Sequence, residues 1–466
     1  MCNGYIDDYH GWNAYMNNGY LQQNDHGTHV AGIATAKGNN SIGTTGVAFN
    51  THLMPVAGSG SNESVVVISY DYIYSQRKLY NSTNGEKGAF VVSTNSSFGI
   101  DGADPANYPV WSSMYDSLGS VGILNVASTA NRGWDIDING DVPTSMTNES
   151  LVSVTNTTNK DELYTSAGWG LQSIDLAAPG TSIYSTRQGG QYGYKSGTSM
   201  SSPHVSGAIA LMYAAADEAT INLYKSDPVL VASRFKRYLI ASVDTLPSLL
   251  GRTVSGGRLN LHKLLQMVQN PPGVAVSPAS ISLAIAPDNT SVTTLEMNCS
   301  GSTANSFIIA VPDTANWLTL SAYDGILTPG LPAFIDVTIN ANGLPEGSYI
   351  SSLTITDAFL NTVIVPVEIK VAVGVIAPAY FVANPVLSVW PVPVTETSLV
   401  GFSLARAGEV NLSVFSLNGQ KSSEIFSGTL APGRHEIPWK NVRTKGLYVL
   451  RLQTNEGVFT QKITVL

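Results

Sequence analysis

The sequence is poor in cysteine and in charge. Its 466 residues include two cysteines, Cys2 and Cys299, which are too few for a disulfide framework. We expect no bridge between them, because they fall in different predicted domains. Charged residues make up 12% of the chain, and 33 acidic against 24 basic residues give a net charge of −9. This balance argues against a nucleic-acid binder, which needs a basic face.

Long hydrophobic runs are also missing. The longest apolar stretch, 205–216, is interrupted by Ser206 and Gly207, and it is shorter than the roughly 20 residues that span a bilayer. We therefore expect no transmembrane segment. Residues 1–8 lack the basic and apolar regions of a signal peptide. The composition, low in lysine and rich in serine, threonine, asparagine and glycine, is nevertheless typical of an extracellular protein.

Apolar residues are plentiful, at 43% of the chain, and the length predicts two to four domains. Up to about residue 270, strand-like runs such as 89–93 and 121–127 alternate with helical patterns at 29–36 and 203–216. This alternation predicts an α/β layered fold.

The pattern changes after the prolines and glycine at 271–273, which mark a linker. Short β-prone runs separated by turn residues follow, and a second break lies at 376–378. We predict three domains, of which the second and third are β-sandwiches, at 1–270, 271–374 and 375–466.

The most specific motif is Gly-Thr-Ser-Met-Ser-Ser-Pro-His at 197–204, ahead of small apolar residues. Pro203 suits the first turn of a helix, where its missing N–H costs nothing. Ser199 would then lie at a helix N-terminus, where a backbone N–H and the helix dipole face a developing oxyanion. The alternative is an ordinary N-capped buried helix.

A second motif is Asp-His-Gly-Thr-His-Val-Ala-Gly-Ile at 25–33, in which His26 begins a predicted helix. A lone histidine of this kind is usually structural. Together with Ser199, however, it supplies the general base that makes a serine hydroxyl reactive at neutral pH. A zinc site at His26 and His29 is a weak alternative, because the spacing is i, i+3 and no Glu follows His26.

These two segments resemble the histidine and serine motifs of subtilisin-like serine proteases, the subtilase family. The similarity runs from about residue 3 to residue 268. Three further matches occur in order: Ser97-Phe98-Gly99, like the family's substrate-binding edge strand, Leu-Ala-Ala-Pro-Gly at 176–180, and the closing segment at 257–260. The resemblance implies a three-layer α/β catalytic domain around a parallel sheet. It also implies an endopeptidase that acts on polypeptides and needs no cofactor for its chemistry.

The resemblance assigns roles to individual residues. Ser199 corresponds to the nucleophile, His26 to the general base and Asn131 to the oxyanion-hole asparagine. The Asn131 amide would share the oxyanion with the Ser199 N–H, and each donor contributes on the order of 3 kcal/mol, a magnitude that comes from a member of the family. Ala130 stands where the family usually has glycine before this asparagine.

The triad aspartate of the family has no match here. The family places it at the end of the first core strand, some tens of residues before the histidine motif, whereas 25 residues precede His26. Asp7 and Asp8 resemble loop or calcium-site residues instead. We therefore expect that the chain begins inside the catalytic domain, without its first strand, signal peptide and propeptide. Such a fragment would be weak or inactive, because loss of the aspartate costs roughly 10⁴-fold in turnover.

A possible ion site lies at Asp135, Asp137, Asn139 and Asp141. Oxygen ligands at alternate positions, with glycine at the sixth, match the first half of a calcium loop. Met146, however, occupies the twelfth position, where an EF-hand needs Glu. The alternative is a solvated acidic turn. Because calcium sites are common in the family, a structural calcium ion is kept as an expectation.

The two β modules also resemble known domains. Trp317-Leu-Thr-Leu and the segment 343–349 resemble a BACON-type or related immunoglobulin-like module, with Trp317 in the core or, alternatively, stacked on carbohydrate. The stretch from Asn384 onward resembles the sorting domain of type IX secretion, on turn and strand signals that end in a strand with Lys462. This implies the type IX machinery as a partner and an extracellular or cell-surface location.

The sequence as a whole predicts a secreted or surface-bound serine endopeptidase. Two rival hypotheses remain open. The first is an inactive, protease-like surface scaffold, and the second is an adhesin whose β modules bind glycan or protein.

Overall fold

The structure divides into two compact units, Met1–Pro271 and Pro272–Leu466. It is a computed structural model that describes residues 4–373, 387–390, 394, 397–404, 407–417, 419–431, 433–440, 445–455 and 457–465. Cys2, the predicted domain boundary at 374/375 and the predicted start of the sorting domain at Asn384 lie outside the described residues.

The first unit mixes helices and short strands. Its helices are α1 (Asp25–Thr35), α2 (Glu63–Ser82), α3 (Pro109–Ser120), α4 (Ile136–Asn139), α5 (Thr198–Ala215), α6 (Glu218–Ser226), α7 (Pro228–Ala241) and α8 (Leu261–Gln269). Its strands are β1 (Trp12–Asn13), β2 (Val56–Ala57), β3 (Ser93–Ser96), β4 (Ile100–Asp101), β5 (Leu124–Ser128), β6 (Asp141–Val142), β7 (Leu151–Thr157), β8 (Leu176–Pro179), β9 (Ile183–Arg187), β10 (Gln191–Lys195), β11 (Asp244–Thr245) and β12 (Gly257–Arg258).

A six-stranded sheet forms the centre of this unit, in the order β11-β12-β8-β7-β5-β3. Its neighbouring strands are parallel except for β11 with β12. Every residue of β5 and β7 is buried, as expected of central parallel strands that are covered on both faces. The predicted α/β class is confirmed. The run 89–93, predicted as a strand, lies mostly before β3, which begins at Ser93.

Helix α5 lies along β3, β5, β7 and β8 and also packs against α1. Small residues permit this close approach. A Cβ atom added to Gly207 of α5 would lie 2.8 Å from the Val47 Cβ and 3.1 Å from the Ala34 carbonyl oxygen. The helices that carry Ser199 and His26 are therefore neighbours.

The second unit begins with nine strands in two sheets. They are β13 (Gly273–Ser277), β14 (Ile281–Ile285), β15 (Thr290–Ser300), β16 (Asn305–Ala310), β17 (Leu318–Leu320), β18 (Asp324–Leu327), β19 (Ala333–Asn340), β20 (Gly347–Asp357) and β21 (Thr362–Val371). The sheet orders are β13-β15-β19-β17 and β14-β21-β20-β16-β18. One core, with residues from both sheets, lies between them, and Trp317 is 6% exposed within it. This burial favours the core role of Trp317 over carbohydrate stacking.

The remaining described strands form a second pair of sheets with a core of its own. They are β22 (Ser388–Trp390), β23 (Thr397–Leu404), β24 (Gly408–Ser416), β25 (Lys421–Leu430), β26 (Gly433–Lys440), β27 (Gly446–Thr454) and β28 (Gly457–Val465). Their orders are β22-β23-β26 and β25-β24-β27-β28.

Within the described part of the chain, no helix combines the length and the apolar character needed to cross a membrane.

Candidate active site

Ser199 is the second residue of α5, and its side chain is half-buried. Gly197 precedes the helix with φ of +149°, and a Cβ atom there would lie 3.3 Å from the Asn131 Oδ1 atom. A side chain at position 197 would therefore be strained and close to Asn131. This glycine allows α5 to begin directly beside residues 129–131, the segment after β5 that ends in Asn131 and is called the asparagine loop below.

Pro203 lies in the second turn of α5, not in the first turn as predicted, because the helix already begins at Thr198. A proline at this place has no N–H to donate to the carbonyl four residues earlier, which is that of Ser199. The Ser97 hydroxyl donates to this carbonyl oxygen instead, at 2.9 Å. The proline thus frees a backbone acceptor that ties the nucleophile's helix to the segment after β3.

Asn131 is held against the start of the same helix. Its Oδ1 atom accepts hydrogen bonds from the Thr198 N–H at 3.0 Å and from the Thr198 hydroxyl at 3.2 Å. The single hydrogen of the Thr198 hydroxyl is shared with the Thr129 carbonyl oxygen, which is the nearer acceptor at 2.6 Å. Because Oδ1 is engaged in this way, the amide Nδ2 is left to donate elsewhere. The oxyanion role predicted for Asn131 requires that free donor next to Ser199.

Ser97, Phe98 and Gly99 follow β3, just as Asn131 follows the neighbouring strand β5. Both segments therefore lie at the carboxyl edge of the parallel sheet, where ligands bind in open α/β folds. The Ser97 carbonyl oxygen accepts a hydrogen bond from the Ser199 Oγ at 3.4 Å. Phe98 packs near Trp111, with ring centroids 6.0 Å apart. The predicted substrate edge thus contacts the predicted nucleophile.

His26 lies in the first turn of α1, which Asn24 caps by accepting from the Gly27 N–H at 2.8 Å. The preceding residue, Asp25, accepts from Arg187 Nε and Nη2 at 2.8 Å each, and its carboxylate lies 2.9 Å from Lys195 Nζ. These ion pairs fasten the histidine end of α1 to the β9–β10 hairpin.

The His26 side chain reaches the surface, yet its pKa is lowered. Desolvation by the surrounding protein is the main cause, and the positive charges of Lys195 and His29 add to it, whereas Asp25 acts in the opposite direction. A lowered pKa keeps the imidazole neutral and able to accept a proton at neutral pH. Within the described residues, no hydrogen bond joins the His26 ring to Ser199, whose hydroxyl donates to Ser97.

His29 is fully buried one turn after His26. Its Nε2 atom lies 3.1 Å from both the Ile183 and the Gly193 carbonyl oxygens. These contacts join α1 to the β9–β10 hairpin and are those of a structural histidine. Among the described residues, no group of three or more His, Cys, Asp or Glu side chains could hold a metal ion, so the zinc alternative has no support.

The structure does not bring the four predicted calcium ligands together. Asp135 caps α4 through the Asp137 N–H, and Asp137 accepts from two backbone amides at 172 and 173. Asn139 donates to the Asp135 carbonyl at 2.8 Å. Asp141 is buried and turns toward Ala130. These contacts are those of a capped turn. They do not support the calcium site, which stays a prediction.

Two contributors to the site were not anticipated from the sequence. Thr198 anchors Asn131, and the Asp25 ion pairs fix the start of α1. Thr198 is adjacent to Ser199, but its contact lies 67 residues away in sequence. Asp25 is visible in the histidine motif, whereas its partners lie on a hairpin that no local pattern connects to it.

The family model for the subtilase family, Peptidase_S8, matches residues 3–248, which is more than half of the chain. The chain belongs to the subtilase family. The matched region contains His26, Asn131 and Ser199, the three residues carried over from the resemblance.

Several curated proteins are similar to this subtilase chain. A thermophilic serine proteinase from Bacillus sp. (strain AK1) is 33% identical over 202 residues, covering 42% of this chain and 45% of the relative. Subtilisin E from Bacillus subtilis (strain 168) is 35% identical over 196 residues, covering 42% and 47%. The chain therefore spans less than half the length of these two relatives.

Among solved structures, a cold adapted subtilisin-like serine proteinase is 24% identical, with a TM-score of 0.40 and coverage of 52% of this chain and 79% of that one.

Proposed function

We propose that this chain is a serine endopeptidase in which Ser199 is the nucleophile, His26 the general base and Asn131 an oxyanion donor. Family membership supports this proposal. The observation that carries it is the pair of hydrogen bonds from Thr198 to the Asn131 Oδ1, because they hold an amide donor beside the N-terminus of the helix that carries Ser199.

In the proposed reaction, the Ser199 Oγ attacks the carbonyl carbon of the substrate while its proton passes to His26. The negative oxygen of the tetrahedral intermediate accepts hydrogen bonds from the Asn131 Nδ2 and the Ser199 N–H. The C–N bond then breaks, His26 returns the proton to the leaving amine, and an acyl ester remains on Ser199. Water attacks this ester while His26 takes its proton, the ester C–O bond breaks, and His26 passes the proton to the Ser199 Oγ as the carboxylic acid product leaves.

We also propose that turnover by this chain alone is slow. Among the described residues, no carboxylate accepts a hydrogen bond from the His26 ring, and Lys195 disfavours the imidazolium. A carboxylate partner fixes the tautomer of the base and stabilises the imidazolium in enzymes of this kind. Its contribution would be missing, while the oxyanion donors and the nucleophile would still act.

A fluorophosphonate probe tests the proposal, since it reacts with an activated serine without requiring complete turnover. We expect one probe per chain at Ser199, and Ser199→Ala should abolish the adduct in a mass spectrum. His26→Ala should slow labelling, and Asn131→Ala should slow it about a hundredfold, as for removal of an oxyanion donor.

Ser201→Ala is the matched control, because the Ser201 hydroxyl donates to the Ala178 carbonyl and faces away from this chemistry. It should label like the unmodified chain. If the folded chain is not labelled, or if Ser199→Ala leaves the labelling unchanged, the proposed peptidase function is refuted. Such a result would favour the inactive surface scaffold.

We further propose that the peptidase acts outside the cell or at its surface, that the strands of 272–371 form an accessory module, and that the last β-sandwich serves type IX export. The order of hairpin and turn signals in the sequence supports the sorting role. When a signal peptide is added so that the chain reaches the periplasm of a bacterium with a type IX system, deleting residues 375–466 should leave the protein in the periplasm. Unchanged export would contradict this part of the proposal.

A further inference from the structure

A buried carboxyl group lies behind the asparagine loop. Asp141 is 1% exposed, and its Oδ2 atom accepts a hydrogen bond from the Ala130 N–H at 3.0 Å. The Thr144 hydroxyl donates to the same oxygen. Ala130 is itself 4% exposed, so its N–H has little access to water and depends on this acceptor. The residue that follows Ala130 is Asn131.

The backbone of Asp141 is joined to the other side of the site. Strand β6 pairs antiparallel with β4, with Asp101 opposite Asp141, and β4 begins directly after Ser97-Phe98-Gly99. The contact is close, because a Cβ atom on Gly99 would lie 2.5 Å from the Val142 carbonyl oxygen. Asp141 therefore contacts the asparagine loop through its side chain, while its strand β6 pairs with β4, the strand that follows the substrate-edge segment, and the next residue, Val142, lies against Gly99.

The carboxyl group has few other partners. Its Oδ1 atom is buried without a hydrogen-bond partner in the structure. Asp101 is the charged group that faces it from β4, and Arg132 pairs with Asp101 at 3.3 Å. Burial raises the pKa of Asp141 to about 7. Burying a carboxyl group in such surroundings is unfavourable. Its side-chain contact with the candidate site is the hydrogen bond that it accepts from the Ala130 N–H.

We infer that Asp141 is a positioning residue that holds the Ala130–Asn131 turn at the distance from Ser97–Gly99 that oxyanion binding requires. The inference rests on the proposed function, since it assigns Asp141 a role through Asn131. An acceptor at the Oδ2 position fixes the Ala130 N–H. The orientation of the next peptide, and with it the Asn131 side chain, is thereby set before substrate arrives.

The test measures the rate at which a fluorophosphonate phosphonylates Ser199 in the full chain at several probe concentrations. These rates give the probe affinity and the maximal rate separately. Asp141→Ala should lower the maximal rate about tenfold, part of the loss expected for removing a whole oxyanion donor, and should leave probe affinity unchanged. Asp141→Asn keeps an oxygen acceptor and should restore most of the rate. In an Asn131→Ala background, Asp141→Ala should have little further effect.

Asp175→Ala is the matched control for lost stability. Asp175 is a partly buried carboxyl group that accepts from a backbone amide, the Ser153 N–H, at 2.8 Å and also pairs with Lys236 at 3.7 Å. This variant should lower the melting temperature without changing the maximal rate of labelling. Should Asp141→Ala not fold, Asp141→Glu keeps the carboxyl group but displaces the acceptor, and should also slow labelling.

The outcomes separate the two proposals. If the unmodified chain shows no labelling at Ser199, the peptidase itself is wrong. If labelling is normal and Asp141→Ala or Asp141→Glu reacts like the unmodified chain, the inference about Asp141 is wrong. A rate that falls equally in the Asp141 and Asp175 variants, in proportion to lost stability, would also overturn it.

Discussion

At the scale of single residues, the site depends on a few side chains that act through neighbours. Thr198 holds Asn131, Ser97 holds the Ser199 carbonyl, and Asp25 joins α1 to two cations. The pKa of Asp25 is held well below its usual range by Arg187 first and Lys195 second. Because these groups are partly exposed, their ion pairs contribute little to stability. Besides holding the start of α1, these charges act on the pKa of His26, which Lys195 lowers and Asp25 raises.

Lys195 provides a test of the charge effect on His26 through pH. Its positive charge lowers the pKa of His26, so Lys195→Ala should raise this pKa, and Asp25, which keeps Arg187 but loses one of its two cations, would act in the same direction. Fewer imidazoles would then be neutral at a given acidic pH. We expect the acid limb of the labelling rate against pH to move to higher pH.

The exposed Lys225 on α6 serves as the control for this measurement, and Lys225→Ala should leave the profile in place. A shift of the acid limb to lower pH in Lys195→Ala would show that Lys195 does not act on His26 by its charge.

At the scale of secondary-structure elements, the carboxyl ends of β3 and β5 and the N-terminus of α5 meet at one place. A hydrogen bond joins the segment after β3 to α5. Its acceptor is the Ser199 carbonyl oxygen, which is free because Pro203 has no N–H to donate to it. The Ser97 hydroxyl, which donates to this acceptor, also accepts from the Asn95 Nδ2 at 2.9 Å. A chain of hydrogen bonds thus runs from the strand to the helix that carries the nucleophile.

Removal of this connection should destabilise the protein. Ser97→Ala deletes the donor to the Ser199 carbonyl, and we expect a loss on the order of 1 kcal/mol in the free energy of unfolding. Pro203→Ala restores a backbone N–H that can reach the same carbonyl within the helix. The loss caused by Ser97→Ala should therefore be smaller when Pro203→Ala is also present. Thermal or urea denaturation of the four chains measures both values, and equal losses in the two backgrounds would contradict the proposed link.

At the scale of the whole molecule, the described strands of the second unit enclose two separate cores. The first lies between the two sheets built from β13 to β21, and twenty buried residues contribute to it. Alternating burial along β21, with every second residue from Val365 to Val371 buried, is typical of a strand in such a sandwich. A core that is complete within one stretch of chain can support folding of that stretch.

We therefore expect residues 272–373 to fold alone. The isolated fragment should show β-type circular dichroism and one cooperative thermal transition. Leu295→Asp is the control, because Leu295 is fully buried in this core and a charge there should abolish the transition. A non-cooperative fragment with the native sequence would mean that the core needs the rest of the unit.

Local sequence patterns predicted several features well. The α/β class, the helix around His26 and the helix around Ser199 followed from apolar periodicity and from motifs that lie within a few residues. The position of Pro203 was misjudged by one turn, because a glycine and a polar residue at 197 and 198 conceal where α5 begins. The calcium expectation at 135–141 stays a prediction, and the contacts that the structure shows there include two backbone amides, at 172 and 173, that donate to Asp137.

What the sequence determined by itself is the chemistry available: a serine at the start of a helix of small residues, a histidine at a helix start and an asparagine after a buried strand. The tertiary structure alone decided which atoms face one another. Ser97 and Asn131 receive their partners from α5, 102 and 67 residues further along the chain, and the parallel pairing of β3 with β5 brings the ends of those segments to one edge. Asp141 accepts from an amide 11 residues before it, and the pairing of β6 with β4 places it beside the same edge. Hydrogen bonds between such segments depend on packing in three dimensions, which local sequence patterns do not predict.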